Sequence, residues 1–277
     1  MLWTRRQVHN KQAAGGRRSA GHVFFFLTGN AIPMLLSRVY LCFRGMSVLS
    51  RVSSPPAIVK ELLKQSDAVC FDVDSTVITT EGIDEFAAFA GKKAEVSELT
   101  KRAMGGSVPF HEALESRLRI ISPVRSMLEA FLAAHPPLFT PGVEAVVSAL
   151  QRRGTHVYLV SGGFTQMIYP VAQNLGIPKE RVYANTILFQ AGEEGGYAGF
   201  DRSAPTSRDG GKAEVVRLLR EKHGYSKIIM IGDGATDLQA RPPADIMLGY
   251  GGVVEREAVK KGADWFYYDM HHLLPHL

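Results

Sequence analysis

The sequence predicts an α/β fold in which a parallel sheet is covered by helices on both faces, with a helical insertion placed after the first strand. Three observations carry that expectation. Short apolar, β-branched runs recur along the chain, amphipathic segments of helical length lie between them, and one long stretch behind the first run has helical periodicity without a strand. Strands separated by helices of this length pair in parallel through crossover connections.

The chain has 277 residues, enough for a substantial core, and two cysteines, Cys42 and Cys70, which make neither a disulfide framework nor a four-cysteine zinc site. Of its 32 Lys and Arg and 27 Asp and Glu, nine basic and no acidic residues fall in 1–60, which leaves 23 basic against 27 acidic beyond. The body is therefore mildly acidic, and no nucleic-acid partner is expected for it, because phosphate contacts need clustered Lys and Arg. Residues 1–52 have the Arg- and Ser-rich, acid-free composition of an organelle transit segment. A dispensable extension upstream of Met34 or Met46 is the equal alternative. Uncharged Ser19–Ser37 is interrupted by Gly29, Asn30 and Pro33, which speaks against a transmembrane helix there, and no membrane partner is expected for the mature core.

Beyond Ser53-Ser54-Pro55-Pro56 the elements follow in order. Ala68–Val73, His156–Ser161, Lys227–Gly232 and Asp245–Leu248 read as strands, and Val143–Arg153, Gln166–Leu175, Lys212–Lys222 and Glu255–Lys261 as helices. Helical segments such as Glu95–Met104 and Phe110–Ile121 fill the insertion. Asn185–Phe189 and Gly196–Phe200 read as a hairpin around a Gly/Glu-rich turn. The expected organisation is a leader over 1–52, a core over 53–80 and 136–277, and a helical insertion over 81–135.

Three strands run into polar segments: Asp72-Val73-Asp74-Ser75-Thr76, Ser161-Gly162-Gly163, and Gly232-Asp233-Gly234-Ala235-Thr236-Asp237. Parallel strands put these segments along one edge, where open α/β sheets bind ligands. Four acids gathered there, Asp72, Asp74, Asp233 and Asp237, repel one another unless a cation compensates. An all-oxygen set without His or Cys favours Mg²⁺ over zinc. Beside a cation, one Asp can attack a phosphoryl group as nucleophile, and its neighbour two residues on can protonate the departing alcohol. Ser161 with the Gly162 and Gly163 amides supplies neutral donors for phosphate, and Lys212, opening a helix after Gly210-Gly211, supplies a charge.

These four segments together resemble the motifs of the haloacid dehalogenase superfamily. The likeness is closer to its phosphoserine phosphatase family, extending through Glu81-Gly82-Ile83-Asp84-Glu85, Arg102-Ala103-Met104-Gly105-Gly106 and Pro242-Pro243-Ala244-Asp245 and covering about residues 57–270. The resemblance implies a Rossmann-like core with a small helical cap, Mg²⁺ as cofactor, a homodimer, and hydrolysis of O-phospho-L-serine through an aspartyl-phosphate. By motif, Asp72 is the nucleophile and Asp74 the acid/base. The metal sits on Asp72, the Asp74 carbonyl and Asp233, with Asp237 behind them. Ser161, Gly162, Gly163, Lys212 and Thr236 hold phosphate. Glu81 faces the substrate ammonium and Arg117 its carboxylate, and Ser75, Met104, Gly105, Asn185 and Arg256 fall at substrate-contact positions. A bidentate Arg suits the carboxylate of a zwitterionic amino-acid phosphate.

A phosphotransferase that passes the phosphoryl group to another alcohol is the nearest alternative. A phosphoaccepting receiver-like module is the alternative from another class. Asp74 speaks against the receiver, because a built-in acid/base would hydrolyse the phosphoaspartate, and so does a cap over the site. The cytosol is the expected location, with a mitochondrion or plastid as the alternative if the leader is a transit segment.

Overall fold

The computed structural model describes residues 53–103, 109–192 and 195–277, the side chains of 100–103 excepted. The leader reading over 1–52, and Met104 and Gly105, lie outside the described residues.

Helix α1 (Ala57–Gln65) leads into strand β1 (Ala68–Phe71). Four helices follow: α2 (Gly82–Phe89), α3 (Lys93–Ala103), α4 (Phe110–Ile121) and α5 (Arg125–Ala134). Then come α6 (Val143–Arg152), β2 (His156–Phe164), α7 (Thr165–Asn174), β3 (Val182–Asn185) and an antiparallel pair, β4 (Ile187–Phe189) with β5 (Tyr197–Phe200). The chain finishes with α8 (Gly211–His223), β6 (Ile228–Gly232), α9 (Ala235–Leu238), β7 (Ile246–Tyr250), α10 (Glu257–Gly262), β8 (Trp265–Tyr267) and a 3₁₀ turn over Met270–His276.

The main sheet has the order β3-β2-β1-β6-β7-β8 and every pairing in it is parallel. The winding changes direction at β1, so the crevice at its carboxyl end is the ligand site this topology offers. Burial on both sides explains the unbroken apolar runs: β1, β6 and β7 are buried at every residue. Alternate residues of β1 serve opposite faces. Val69 and Phe71 join the cluster under α1, α6, α7 and the C-terminal turn, while Ala68 and Cys70 join the one under α8 and α10. Each fully buried aliphatic or aromatic side chain contributes about 1.5–3 kcal/mol by removal from water.

The helices α2, α4 and α5 share a third cluster, with Phe86, Leu114, Leu118, Ile121, Leu128 and Phe131 at its centre. Leu114, Leu118 and Ile121 recur at helical spacing, which gives α4 its inward face. The cluster also takes in Phe164 of β2 and Ile187 and Phe200 of the hairpin, so these helices rest on strand-derived side chains as well as on each other. The chain enters and leaves the helical segment along one path. Ile78 bridges Phe139, Thr79 N–H donates to the Leu138 carbonyl, and Thr140 N–H to the Val77 carbonyl.

The structure differs from the sequence reading at several ends. β1 stops at Phe71 because the chain turns at once, with the Asp72 side chain accepting the Val73 N–H and Ser75 in the left-handed region at φ 54°. β2 runs on through Ser161-Gly162-Gly163 to Phe164, with a register shift against β3 between Val160 and Phe164. The glycines therefore lie inside an irregular strand end, where the sequence reading ended the strand at Ser161. Among the described residues, no helix is long and apolar enough to cross a membrane.

Candidate active site

The carboxyl ends of β1, β2 and β6 and the start of α8 meet around a cavity of about 1000 Å³, whose rim is closed on one side by Phe110, Leu114 and Arg117 of α4.

Asp72 is 9% exposed, and its Oδ1 accepts the Val73 N–H at 2.8 Å and the Lys212 ammonium at 2.8 Å. Among the described residues no such donor engages Oδ2. The turn after β1 then brings Asp74 back toward the same cavity, where its Oδ1 accepts the Gly82 N–H at 2.8 Å. Although part of Asp74 reaches the cavity, burial pushes its carboxyl up to about 8. The negative charges of Glu81 and Asp72 add to that push. Two carboxyl groups two residues apart thus differ in role: Asp72 is held by a cation, and Asp74 keeps its proton at neutral pH.

Asp233 comes just after β6 and Asp237 from the short helix α9 that follows. Asp237 lies under the strand end, where a Cβ on Gly232 would come within 2.2 Å of its carboxylate, so only glycine allows this packing. Its oxygens accept Lys212 Nζ at 2.7 Å and the Gly234 N–H at 2.9 Å. Burial drives Asp237 up and the ion pair with Lys212 pulls it back. Lys212, though buried, is held above the ordinary ammonium range by Asp237 and Asp72. The N-terminus of α8 adds its dipole to the same cationic pole.

Asp233 Oδ1 accepts the Thr76 hydroxyl at 3.0 Å. Its Oδ2 is buried and has no hydrogen-bond donor. Arg256 Nη2 stands 3.0 Å away as an ion pair without hydrogen-bond geometry. Burial, reinforced by Asp72, raises Asp233 to about 6. Oxygens of Asp72, Asp233 and Asp237 all lie within 4.8 Å of one another. An oxygen-only set with one buried acceptor short of a donor fits a hard cation. Asp237, with both oxygens engaged, is the outer member.

The remaining expected residues fall around this cluster. Ser161 is 1% exposed, and its Oγ accepts the Gly163 N–H at 2.9 Å. Gly162, Gly163 and Thr236 line the cavity. Glu81 Oε1 accepts the Ser75 hydroxyl at 2.7 Å and lies 3.6 Å from Arg256 Nη2. Arg117 is tied through Nε to the Ala113 carbonyl at 3.1 Å. Burial lowers its guanidinium, opposed by Asp84, Glu81 and Asp74, though among the described residues no carboxylate is within ion-pair distance of it. Asn185 is the exception: it is fully buried, and its amide is spent on the Gly162 carbonyl and the Thr206 hydroxyl. Thr206 and Phe110, which also line the cavity, carry no sequence signal, because both come from segments that read as ordinary loop or helix.

Comparison with known proteins agrees with this geometry. Residues 66–245 match the family of haloacid dehalogenase-like hydrolases. The chain is 52% identical to a phosphoserine phosphatase of Mus musculus over 79% of its own length and 96% of the relative's. A solved structure described as a phospho-aspartyl intermediate analogue of phosphoserine phosphatase superposes with TM-score 0.65 at 25% identity, covering 76% of this chain and 99% of that one. The structure of DsGPDH of Dunaliella salina superposes with TM-score 0.72 at 36% identity over 81% of this chain, which spans only 38% of that longer protein. The chain belongs to the phosphoserine phosphatase family of haloacid dehalogenase-like hydrolases.

Proposed function

We propose that this protein hydrolyses O-phospho-L-serine to L-serine and inorganic phosphate, the last step in making serine, through a phosphorylated Asp72. The observation that carries the reading is the unequal pair at the end of β1. Asp72 is fixed through one oxygen by Lys212 and Val73, and Asp74 is held protonated two residues on.

Lys212, the Ser161 hydroxyl and the backbone of Gly162 and Gly163 orient the phosphoryl group, with Thr236 at the rim. Asp72 Oδ2 attacks phosphorus, and the serine oxygen leaves with the proton that Asp74 holds. Asp74, now a carboxylate, takes a proton from water. That water attacks the phosphorus, breaks the bond to Asp72 and restores both groups. Asp72, the Asp74 carbonyl and Asp233 would hold a Mg²⁺ ion with Asp237 behind them. Bound there, it offsets the repulsion between phosphate and carboxylates.

Recognition falls to other groups. Glu81 faces the ammonium, Arg117 pairs with the carboxylate through its planar fork, and Arg256 and Ser75 frame the amino-acid end. The helices α2–α5 act as the cap that closes over the site. The protein works as a homodimer in an aqueous compartment, the cytosol, or an organelle if residues 1–52 target it there. Light scattering and sequencing of the native N-terminus test those two points.

The deciding experiment is a phosphate-release screen over phosphoserine, phosphothreonine and sugar phosphates, with and without Mg²⁺. Phosphoserine should lead and turnover should depend on the metal. Preference for a sugar phosphate would overturn the substrate reading.

A further inference from the structure

The groups that orient the phosphoryl moiety come from two distant parts of the chain, the end of β2 and the start of α8. One buried hydrogen-bonded chain joins them. Thr206 Oγ1 donates to Asn185 Oδ1 at 3.1 Å, and Asn185 Nδ2 donates to the Gly162 carbonyl at 2.8 Å. Asn185 is 0% exposed and Thr206 4%. At its other end the chain meets α8 directly: a Cβ on Gly211 would lie 2.1 Å from the Pro205 carbonyl oxygen and 2.8 Å from Thr206 Cα. The residue before Lys212 is thus seated on the same turn that carries the Thr206 hydroxyl.

The peptide unit at stake is Gly162–Gly163. In a trans peptide the carbonyl and the N–H point in opposite directions. Holding the Gly162 oxygen toward Asn185 therefore sends the Gly163 N–H the other way, to Ser161 Oγ at 2.9 Å, so that Oγ accepts there and its own proton stays available to a phosphate oxygen. Two consecutive glycines do not fix that plane by themselves. Nor does Asn185 alone, because its amide presents a carbonyl or an NH₂ depending on which way it is turned. The Gly162 carbonyl can only accept, so it takes the NH₂, and the Thr206 hydroxyl gives its proton to Oδ1 and so holds the other end of the amide in place.

We propose that Thr206 is a positioning residue for phosphoryl transfer. Through Asn185 it orients the Gly162–Gly163 peptide against Lys212, so that both donor elements converge on one phosphoryl group. This rests on the phosphatase reading of the site.

Thr206→Val keeps the shape and removes the hydroxyl, leaving a buried Asn185 oxygen without its donor. In Mg²⁺ buffer, the affinity for inorganic phosphate, measured by titration calorimetry, should fall about tenfold. The phosphoserine kcat should fall by a similar factor, with a smaller change in KM, since the loss is of alignment in the reacting complex. Thr206→Ser restores the proton and should lie within about twofold of the parent on both measures. A folded valine variant with unchanged phosphate affinity and kcat overturns the proposal. So does a serine variant as impaired as valine, which would make the methyl group, not the proton, the active feature. Should the valine protein fail to fold, Thr206→Ala is read by the same criteria. The calorimetric arm does not depend on which ester is hydrolysed. A parent inactive on phosphoserine whose valine variant still loses phosphate affinity would sink the substrate reading and leave this one standing.

Discussion

The cavity is built from two kinds of surface. At the strand ends, Asp237 and Lys212 have side chains 0% and 6% exposed, and each makes short contacts to groups in other elements. Facing them, Glu81 and Arg256 are 43% and 31% exposed, and the ion pair between them is 3.6 Å long. The inner wall is rigid, buried and dense in charge. The outer wall is half-wet and loosely paired. Chemistry common to phosphate esters needs groups that do not reorganise, and strands buried on both faces supply them. Selecting the alcohol needs groups that can open to admit a zwitterion and then pair with it, which half-exposed side chains supply. Substitutions on the inner wall should therefore impair every substrate, and those on the outer wall should spare substrates that lack the amino-acid end.

The largest expected effect is on the inner wall. Asp72→Asn removes the attacking oxygen, and turnover should fall by at least about 10⁴-fold for phosphoserine and p-nitrophenyl phosphate alike. Rapid acid quench with mass spectrometry should find phosphate on Asp72 in the parent and none in the variant. Turnover near the parent rate would end the covalent reading. Asp74→Asn keeps the shape and loses the transferable proton. A fall of about 10²–10⁴-fold is expected, with the larger loss on phosphoserine, whose alkoxide needs the proton more than nitrophenolate does. Because Asp74 must begin protonated with its carboxyl raised to about 8, the parent rate should decline above that pH, and this limb should be missing from the Asn variant.

On the outer wall, Arg117→Ala loses a charged, two-pronged contact, worth about 10–100-fold in kcat/KM for phosphoserine. For p-nitrophenyl phosphate, which has no carboxylate, the change should stay within about threefold. Equal losses on the two substrates would erase the distinction between the walls.

The inner wall was also the more legible in the sequence. Strand ends carrying Asp72, Ser161 and Asp233 stand out because apolar runs buried on both faces are easy to see, and α4 matches its expected limits of Phe110–Ile121. β3 and β8 went unread because they are short: β3 has four residues, and β8 has three, although all three are aromatic. The turn that curls Asp74 back was legible only in part. Ser75 adopts φ 54° for reasons set by Thr80 and Glu81 around it, and its own residue type gives no sign of that. Asn185 shows the limit most plainly. Its position near the site follows from sequence, but its burial and its use as a strut follow from Thr206, 21 residues away.

The smallest effect separates the walls by stability. Asp74 holds its proton to about pH 8 when folded, against an ordinary carboxyl value of 3.8. A group raised on folding stabilises fully below the unfolded value, and that contribution is lost as pH climbs through the folded one. Over this range the parent therefore loses stability with pH, whereas an Asn at position 74 is neutral throughout and loses none. In the presence of chelator, Asp74→Asn should melt a few degrees above the parent at pH 8.5, since about 1 kcal/mol moves Tm by roughly 2–4 °C in a domain of this size. The gap should narrow at pH 5. Glu81→Gln, on the half-exposed outer wall, should show little of this pH-dependent gain, because solvent already screens its charge. An equal gain at both positions would mean that the outer wall is as strained as the inner one, and the division of labour between them would have to be given up.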